Sequence, residues 1–225
     1  MEAIILAGGM GTRLKSVISD VPKPMAPIGE KPFLHYIFKY LKNQNVKKVI
    51  LCVSYKKEVI QEYFLDNYLG ISIQYSIENE PLGTGGAVFQ ALSMLSGKMA
   101  YILNGDTFFD IDLARLKLRK ESKIALALKS MKDFDRYGCV ELDKDFKIQA
   151  FREKEYKKIG LINGGIYLMD RAIFEGYDLA SKFSFEEFIQ EHFIALNAYG
   201  EKFDDYFIDI GIPEDYNIFC DYVLK

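Results

Sequence analysis

Short apolar runs alternate with helix-periodic segments from residue 3 to residue 103, and this alternation restricts the fold more than any other feature of the chain. Ala3–Leu6 is a brief apolar run ending in glycines, which reads as a buried strand. Phe33, Tyr36, Ile37, Tyr40 and Leu41 recur at helical spacing, and Val49–Val53 is β-branched and apolar. Val59, Ile60, Tyr63 and Phe64 again have helical spacing, whereas Ile71–Ile77 alternates with period two. Ala87–Leu95 reads as a helix and Ala100–Leu103 as a strand. Strand, helix, strand, helix, strand, helix, strand predicts a parallel sheet with crossover helices.

The second half changes character. Ile124–Leu128, Cys139–Leu142, Ile148–Phe151 and Gly165–Met169 are strand-like with few helices between them. A Phe-rich helix is expected at Phe185–Leu196, and a C-terminal helix carrying Tyr216, Phe219, Val223 and Leu224. No repeat, linker or low-complexity segment interrupts the 225 residues. One continuous α/β unit with an added mixed-sheet region is expected.

Charge and cysteine content exclude several functions. Net charge is −3, so there is no basic excess and nucleic acid is not an expected partner. Cys52, Cys139 and Cys220 are odd in number and form no CxxC pair, so neither a disulfide framework nor a zinc site is expected. No run approaches the roughly 20 apolar residues needed to cross a bilayer. No membrane partner is expected, and the cytoplasm is the default compartment.

Ile4-Ile5-Leu6-Ala7 leads directly into Gly8-Gly9-Met10-Gly11-Thr12-Arg13. A strand ending in glycines can bring backbone N–H groups up to a polyphosphate, because no Cβ blocks the approach. Two familiar phosphate loops are excluded. Arg13 stands where a P-loop needs glycine, and Leu14 where a dinucleotide fingerprint needs its third glycine. Pro22, Pro24, Pro27 and Pro32 then predict a long ordered loop around Lys23.

Leu6-Ala7-Gly8-Gly9-Met10-Gly11-Thr12-Arg13-Leu14, followed by Pro22-Lys23-Pro24-Met25, resembles the signature of the sugar-1-phosphate nucleotidyltransferases. Glu80-Pro81-Leu82-Gly83-Thr84-Gly85-Gly86-Ala87 is similar to that family's base-reading segment, and Asn104-Gly105-Asp106 to its metal-binding strand end. Tyr137-Gly138, Glu153-Lys154 and Asn163-Gly164-Gly165-Ile166-Tyr167 resemble its sugar-phosphate segments. Asp209-Ile210-Gly211, with Pro213-Glu214-Asp215-Tyr216, resembles its C-terminal metal motif. Lys15-Ser16-Val17-Ile18-Ser19-Asp20-Val21 after Leu14 resembles the bacterial guanylyltransferases acting on D-glycero-D-manno-heptose 1-phosphate.

The resemblance implies a Rossmann-like, mostly parallel twisted sheet of the nucleotide-diphospho-sugar transferase type. Its nucleotide-binding part would span about 1–112 and its sugar-phosphate-binding part about 113–225 of a single domain. It implies that GTP, or another NTP, and a sugar 1-phosphate are the substrates, with Mg²⁺ as cofactor, and it admits a homodimer. Arg13 would bind the β/γ-phosphates and Lys23 would neutralise the α-phosphate, both acting catalytically with Asp106. Leu6, Ala7, Gly8, Gly9, Gly11, Thr12, Gly83, Thr84, Asn104 and Gly105 would contact the nucleotide. Glu80 would accept from guanine N1–H and its 2-amino group, a carboxylate being acceptor-only. Asp106 and Asp209 would hold the metal, magnesium preferring oxygen ligands. Gly138, Glu153, Lys154 and Asn163 would bind the sugar phosphate. Mannose 1-phosphate, or another sugar with UTP or dTTP, is the alternative substrate set. A glycosyltransferase using Asp110-Ile111-Asp112 is a further alternative, as is a non-catalytic relative. Asp112 is expected instead to cap a helix ahead of Leu113 and Leu116. His35 and His192 are expected to be packing residues.

Overall fold

The structure, a computed structural model, describes residues 1–9, 14 and 21–223. In chain order the strands begin with β1 (Glu2–Leu6), followed by the short pair β2 (Pro27–Ile28) and β3 (Lys31–Pro32). Helix α1 (Phe33–Asn43), β4 (Lys48–Val53), α2 (Lys57–Phe64), β5 (Asn67–Tyr68) and β6 (Ile71–Ile77) follow. Next come α3 (Gly83–Ala91), β7 (Met99–Asn104), β8 (Thr107–Phe109), β9 (Ile124–Phe134), β10 (Cys139–Leu142) and β11 (Ile148–Arg152). The chain closes with β12 (Lys157–Asp170), α4 (Phe185–His192), β13 (Tyr199–Phe203), β14 (Phe207–Asp209) and α5 (Pro213–Val223).

Ten strands form the main sheet among the described residues, in the order β11-β10-β12-β7-β1-β4-β6-β5, with β9 joining β12 and β13 joining β9. The strands β7, β1, β4 and β6 run parallel. β1, β4 and β7 are apolar runs buried on both faces, as parallel strands with covering helices must be, whereas β6 nearer the edge alternates buried and exposed residues. β12 pairs antiparallel to β7, and β9 and β10 pair antiparallel to β12. This makes the second half the mixed region expected from its pattern. Two apolar layers cover the sheet: Phe33, Phe38, Phe64 and Phe219 lie in one, and Phe185, Phe188, Tyr167 and Val88 in the other. Each fully buried side chain of this size stabilises the fold by roughly 1.5–3 kcal/mol.

Three departures from the sequence pattern have local causes. β9 and β12 are longer than expected, because their distal residues pair with each other while many of them face solvent, where no apolar alternation marks a strand. α3 starts at Gly83 rather than Ala87, so the glycine run forms its first turn. Glycine is required there by close approach: a Cβ on Gly83 would overlap the Phe183 carbonyl oxygen, and one on Gly85 the Phe183 ring. Past His192 the Phe-rich helix ends in turns, whereas α5 runs to Val223 with Leu224 outside the described residues. Asp112 accepts from the Ala114 N–H at 2.9 Å and caps a 3-10 turn, as its position predicted. Cys52 and Cys139 are buried thiols and Cys220 a half-buried one. No helix among the described residues is long and apolar enough to cross a membrane.

Candidate functional site

The parallel strands end together on one edge of the sheet. From β1 the chain moves outward to β4 and β6, then returns to β7 on the opposite side of β1. Open α/β sheets bind ligands at such a reversal, beyond the strand C-termini, because the crossovers diverge and leave a crevice. Here Leu6 pairs with Asn104, and the Gly105 N–H donates to the Leu6 carbonyl at 2.9 Å. A Cβ on Gly105 would come 2.5 Å from that oxygen, so only glycine lets β7 turn this closely beside β1. The turn carries Asp106 into the crevice.

Two clefts of about 700 and 590 Å³ open here. The first is lined by Leu6, Gly8, Gly9, Lys23, Gly83 and Thr84, with Asp106 at its end. The second includes Gly138, Lys154, Asn163, Thr107 and Asp209. Asn104 and Glu186 line both. Asn104 Oδ1 is buried and has no hydrogen-bond partner among the described residues, which leaves an unpaired acceptor in the shared wall.

Lys23, Asp106 and Asp209 meet where the clefts join. Lys23 lies in a 3-10 turn flanked by Pro22 and Pro24, and its side chain is only 9% exposed. Its Nζ lies 2.6 Å from Asp106 Oδ2 and 3.4 Å from Asp209 Oδ1. Asp209 ends β14, which pairs with β8 so that Asp209 faces Thr107, the neighbour of Asp106. Burial pushes the Asp209 carboxyl above its ordinary range, and the Asp106 charge adds to this; Lys23 and a Gly211 backbone hydrogen bond oppose it. Two carboxylates with an ammonium between them are a hard-oxygen donor set already compensated by a cation. This arrangement fits a divalent ion of the magnesium type, which takes one or two carboxylates and completes its shell with phosphate and water. No cluster of three or more His, Cys, Asp or Glu suited to a metal occurs among the described residues.

The second cleft is shaped by an irregularity in β12. Between Asn163 and Tyr167 its register against β9 shifts, so that three residues of β12, Gly164 to Ile166, oppose the single Ala127 of β9. Gly165 takes φ +71 in this bulge, a conformation glycine adopts without strain. Asn163 then donates to the Tyr167 hydroxyl at 2.8 Å and accepts from the Gly165 N–H at 3.1 Å. Tyr167 is fully buried and also lies 3.5 Å from Glu186, whose other oxygen accepts from the Thr84 hydroxyl at 2.8 Å. A polar chain therefore runs from the first cleft to the second.

Several residues marked in the sequence lie elsewhere. Gly11, Thr12, Arg13 and Lys15 fall outside the described residues. Ala7 is buried and lines neither cleft, and Gly105 packs on Leu6 instead of lining either cleft. Glu80 is exposed and lines neither cleft; Glu78, buried two positions earlier, lines the first. Burial raises the Glu78 carboxyl, while a hydrogen bond from the Leu82 N–H at 3.0 Å opposes the rise. Glu153 is exposed and lines neither cleft, whereas Lys154 does. Asp110 and Asp112 lie outside both clefts, and His35 and His192 make aromatic packing contacts.

Sequence reasoning missed Glu78, Glu186 and Arg136. Glu78 follows the last residue of a strand, a signal that was available. Glu186 carried none, since it sits in an ordinary amphipathic helix. Arg136 precedes the Tyr137-Gly138 motif and lines the second cleft beside Asp209.

Residues 2–221 match the nucleotidyl transferase family. The chain is 64% identical over 216 residues to the D-glycero-alpha-D-manno-heptose 1-phosphate guanylyltransferase of Campylobacter jejuni, covering 96% of this chain and 97% of the relative. It is 53% identical over 220 residues to the enzyme of the same name from Aneurinibacillus thermoaerophilus, covering 96% and 95%. The crystal structure of HddC from Yersinia pseudotuberculosis complexed with GMP-PN superposes with a TM-score of 0.84 at 37% identity, covering 99% of each chain.

Proposed function

The chain belongs to the nucleotidyl transferase family, and from that premise we propose that it joins GTP to D-glycero-alpha-D-manno-heptose 1-phosphate, giving GDP-heptose and pyrophosphate. The observation that carries the reading is the meeting of two clefts at Lys23, Asp106 and Asp209, with a shared wall of Asn104 and Glu186. An enzyme that joins two anions needs two adjoining pockets and positive charge where they meet, which Lys23 supplies in part and a divalent ion held by Asp106 and Asp209 would complete. Unit charges about 4 Å apart interact by roughly 4 kcal/mol at an effective dielectric near 20, and this repulsion must be cancelled before the atoms can approach.

In this reading GTP occupies the cleft floored by Gly8 and Gly9, and the sugar phosphate occupies the cleft of Gly138, Lys154 and Asn163. The sugar-phosphate oxygen attacks the α-phosphorus in line, the bond to pyrophosphate breaks, and no covalent enzyme intermediate forms. Lys23 holds its charge against the α-phosphate as negative charge develops there, and Lys154 pairs with the sugar phosphate. Asp106 and Asp209 would hold Mg²⁺, which when bound supplies charge neutralisation and a template for the phosphates. Arg13 would grip the β/γ-phosphates. The whole chain would act as one domain, residues about 1–112 serving the nucleotide and about 113–225 the sugar.

Glu78, and not Glu80, is assigned to guanine N1–H and the 2-amino group, because of these two carboxylates only Glu78 lines the first cleft. It must be ionised to accept both hydrogen bonds. Its raised pKa means that GTP affinity falls as the pH drops through that value, before an ordinary exposed carboxylate would protonate. The stability sign is opposite: ionised Glu78 costs stability above the ordinary carboxylate pKa, and protonation relieves that cost. Glu78→Gln is expected to raise the GTP KM about 100-fold, to narrow the preference over UTP, and to flatten the acid limb of the KM profile. Lys154→Ala is expected to raise the sugar-phosphate KM about 30-fold and leave that for GTP within about twofold, by steady-state kinetics.

Purified protein with Mg²⁺, four NTPs and several sugar 1-phosphates, assayed for pyrophosphate, tests the reaction. Release with GTP and the heptose phosphate above all other pairs is expected. No release with any pair overturns the transferase reading, and release only with UTP or dTTP overturns the guanine assignment.

A further inference from the structure

Arg136 lies in the turn between β9 and β10, next to Tyr137-Gly138, on the rim of the second cleft. Its Nη1 donates to Asp215 Oδ2 at 2.8 Å, and its side chain remains 41% exposed. Of its five N–H donors this is the single commitment among the described residues, so the other edge of the fork stays available. The guanidinium also feels the charge of Asp209, at the junction of the two clefts. The other guanidinium on this cleft, Arg152, is already engaged at both ends, with 2.8 Å bonds from Nε and Nη2 to the two oxygens of Glu141. Asp215 stands in the first turn of α5, where the helix N-terminus stabilises its carboxylate without Arg136.

Resting on the two-substrate reading above, we infer that Arg136 binds the phosphate of the sugar 1-phosphate, and that Asp215 parks it on the cleft rim until that dianion competes it away. A phosphomonoester carries nearly two charges and three acceptor oxygens, against one charge on Asp215, so it is the stronger partner for a bidentate guanidinium. The exchange leaves Asp215 on its helix terminus and puts a positive charge beside Asp209, where the incoming dianion would otherwise meet a carboxylate.

Opposite effects of the two partners separate this role from a structural one. Breaking a merely structural ion pair from either side should have the same consequence. Arg136→Gln is expected to raise both the KM and the calorimetric Kd for D-glycero-alpha-D-manno-heptose 1-phosphate about 30-fold, with the GTP KM within about twofold. Asp215→Asn, which releases the guanidinium, is expected to lower the sugar-phosphate KM or leave it unchanged. Arg136→Lys keeps the charge and loses the fork, so a rise of about fivefold is expected, and it carries the test if Arg136→Gln does not fold. A rise in sugar-phosphate KM and Kd in both Arg136→Gln and Asp215→Asn overturns the inference. So does an Arg136 variant within about twofold of the parent, or one that alters only the GTP KM. Calorimetry on the parent protein keeps the outcomes distinct, since sugar-phosphate binding is measured whether or not pyrophosphate is released.

Discussion

Asp106→Asn is expected to lower turnover roughly 10³-fold while changing the unfolding free energy by less than about 1 kcal/mol. Asparagine preserves the shape of the strand end and removes only the charge. The side chain is 37% exposed, so its 2.6 Å contact with the buried Lys23 ammonium is screened from the Asp106 side. Loss of the Lys23 contact is also offset by relief of the repulsion between Asp106 and Asp209, which acts with burial to raise the Asp209 carboxyl. The Asp209 pKa should accordingly move down in the variant. The linkage sign follows: a carboxyl raised in the folded state costs stability when ionised, and protonation as the pH falls recovers it. The acid-side gain should be smaller in Asp106→Asn than in the parent. Turnover and urea unfolding measured on one preparation check both halves, and near-normal turnover would remove Asp106 from the reaction centre.

Gly83→Ala is expected to destabilise the protein by about 3 kcal/mol and lower Tm by about 6–12 °C, with a rise in the GTP KM. Gly83 takes φ +71, which a side chain adopts at a cost, and its Cβ would overlap the Phe183 carbonyl oxygen. That carbonyl cannot move freely. It accepts from the Gly85 N–H at 3.0 Å, and the Phe183 N–H donates to Leu82 at 3.1 Å. The Thr84 hydroxyl accepts from the Phe185 N–H and donates to Glu186, both at 2.8 Å, tying the first turns of α3 and α4 together. Gly9→Ala is the matched control, because a Cβ there meets nothing within 4 Å among the described residues. It should leave Tm nearly unchanged and affect only GTP binding. A Gly83→Ala protein that melts with the parent would show that this contact relaxes without cost.

The parallel half of the sheet was legible because its signal is local. Buried strands read as apolar runs and covering helices as a 3.6-residue period, and Ile71–Ile77 was recovered residue for residue. Elements whose pairing lies far away were not. β13 shows no apolar alternation of its own and exists because it lies parallel to β9, more than 60 residues earlier in the chain. The distal parts of β9 and β12 are mostly half-buried and carry no hydrophobic period.

The same division runs through the site. Residue types and their order along the chain were enough to place glycines and carboxylates at strand ends and a cation among prolines, because those are local backbone requirements. Folding alone decided that Lys23, Asp106 and Asp209, separated by 83 and 186 residues from the lysine, would share one charge cluster. It also decided between Glu78 and Glu80. Two residues apart in a continuing strand they would face the same side, but β6 ends at Ile77 and the period of two ends with it. Past that point only the turn towards α3 determines which carboxylate faces the cleft, and that turn is shaped by Phe183, a residue a hundred positions away that leaves no trace in the local sequence.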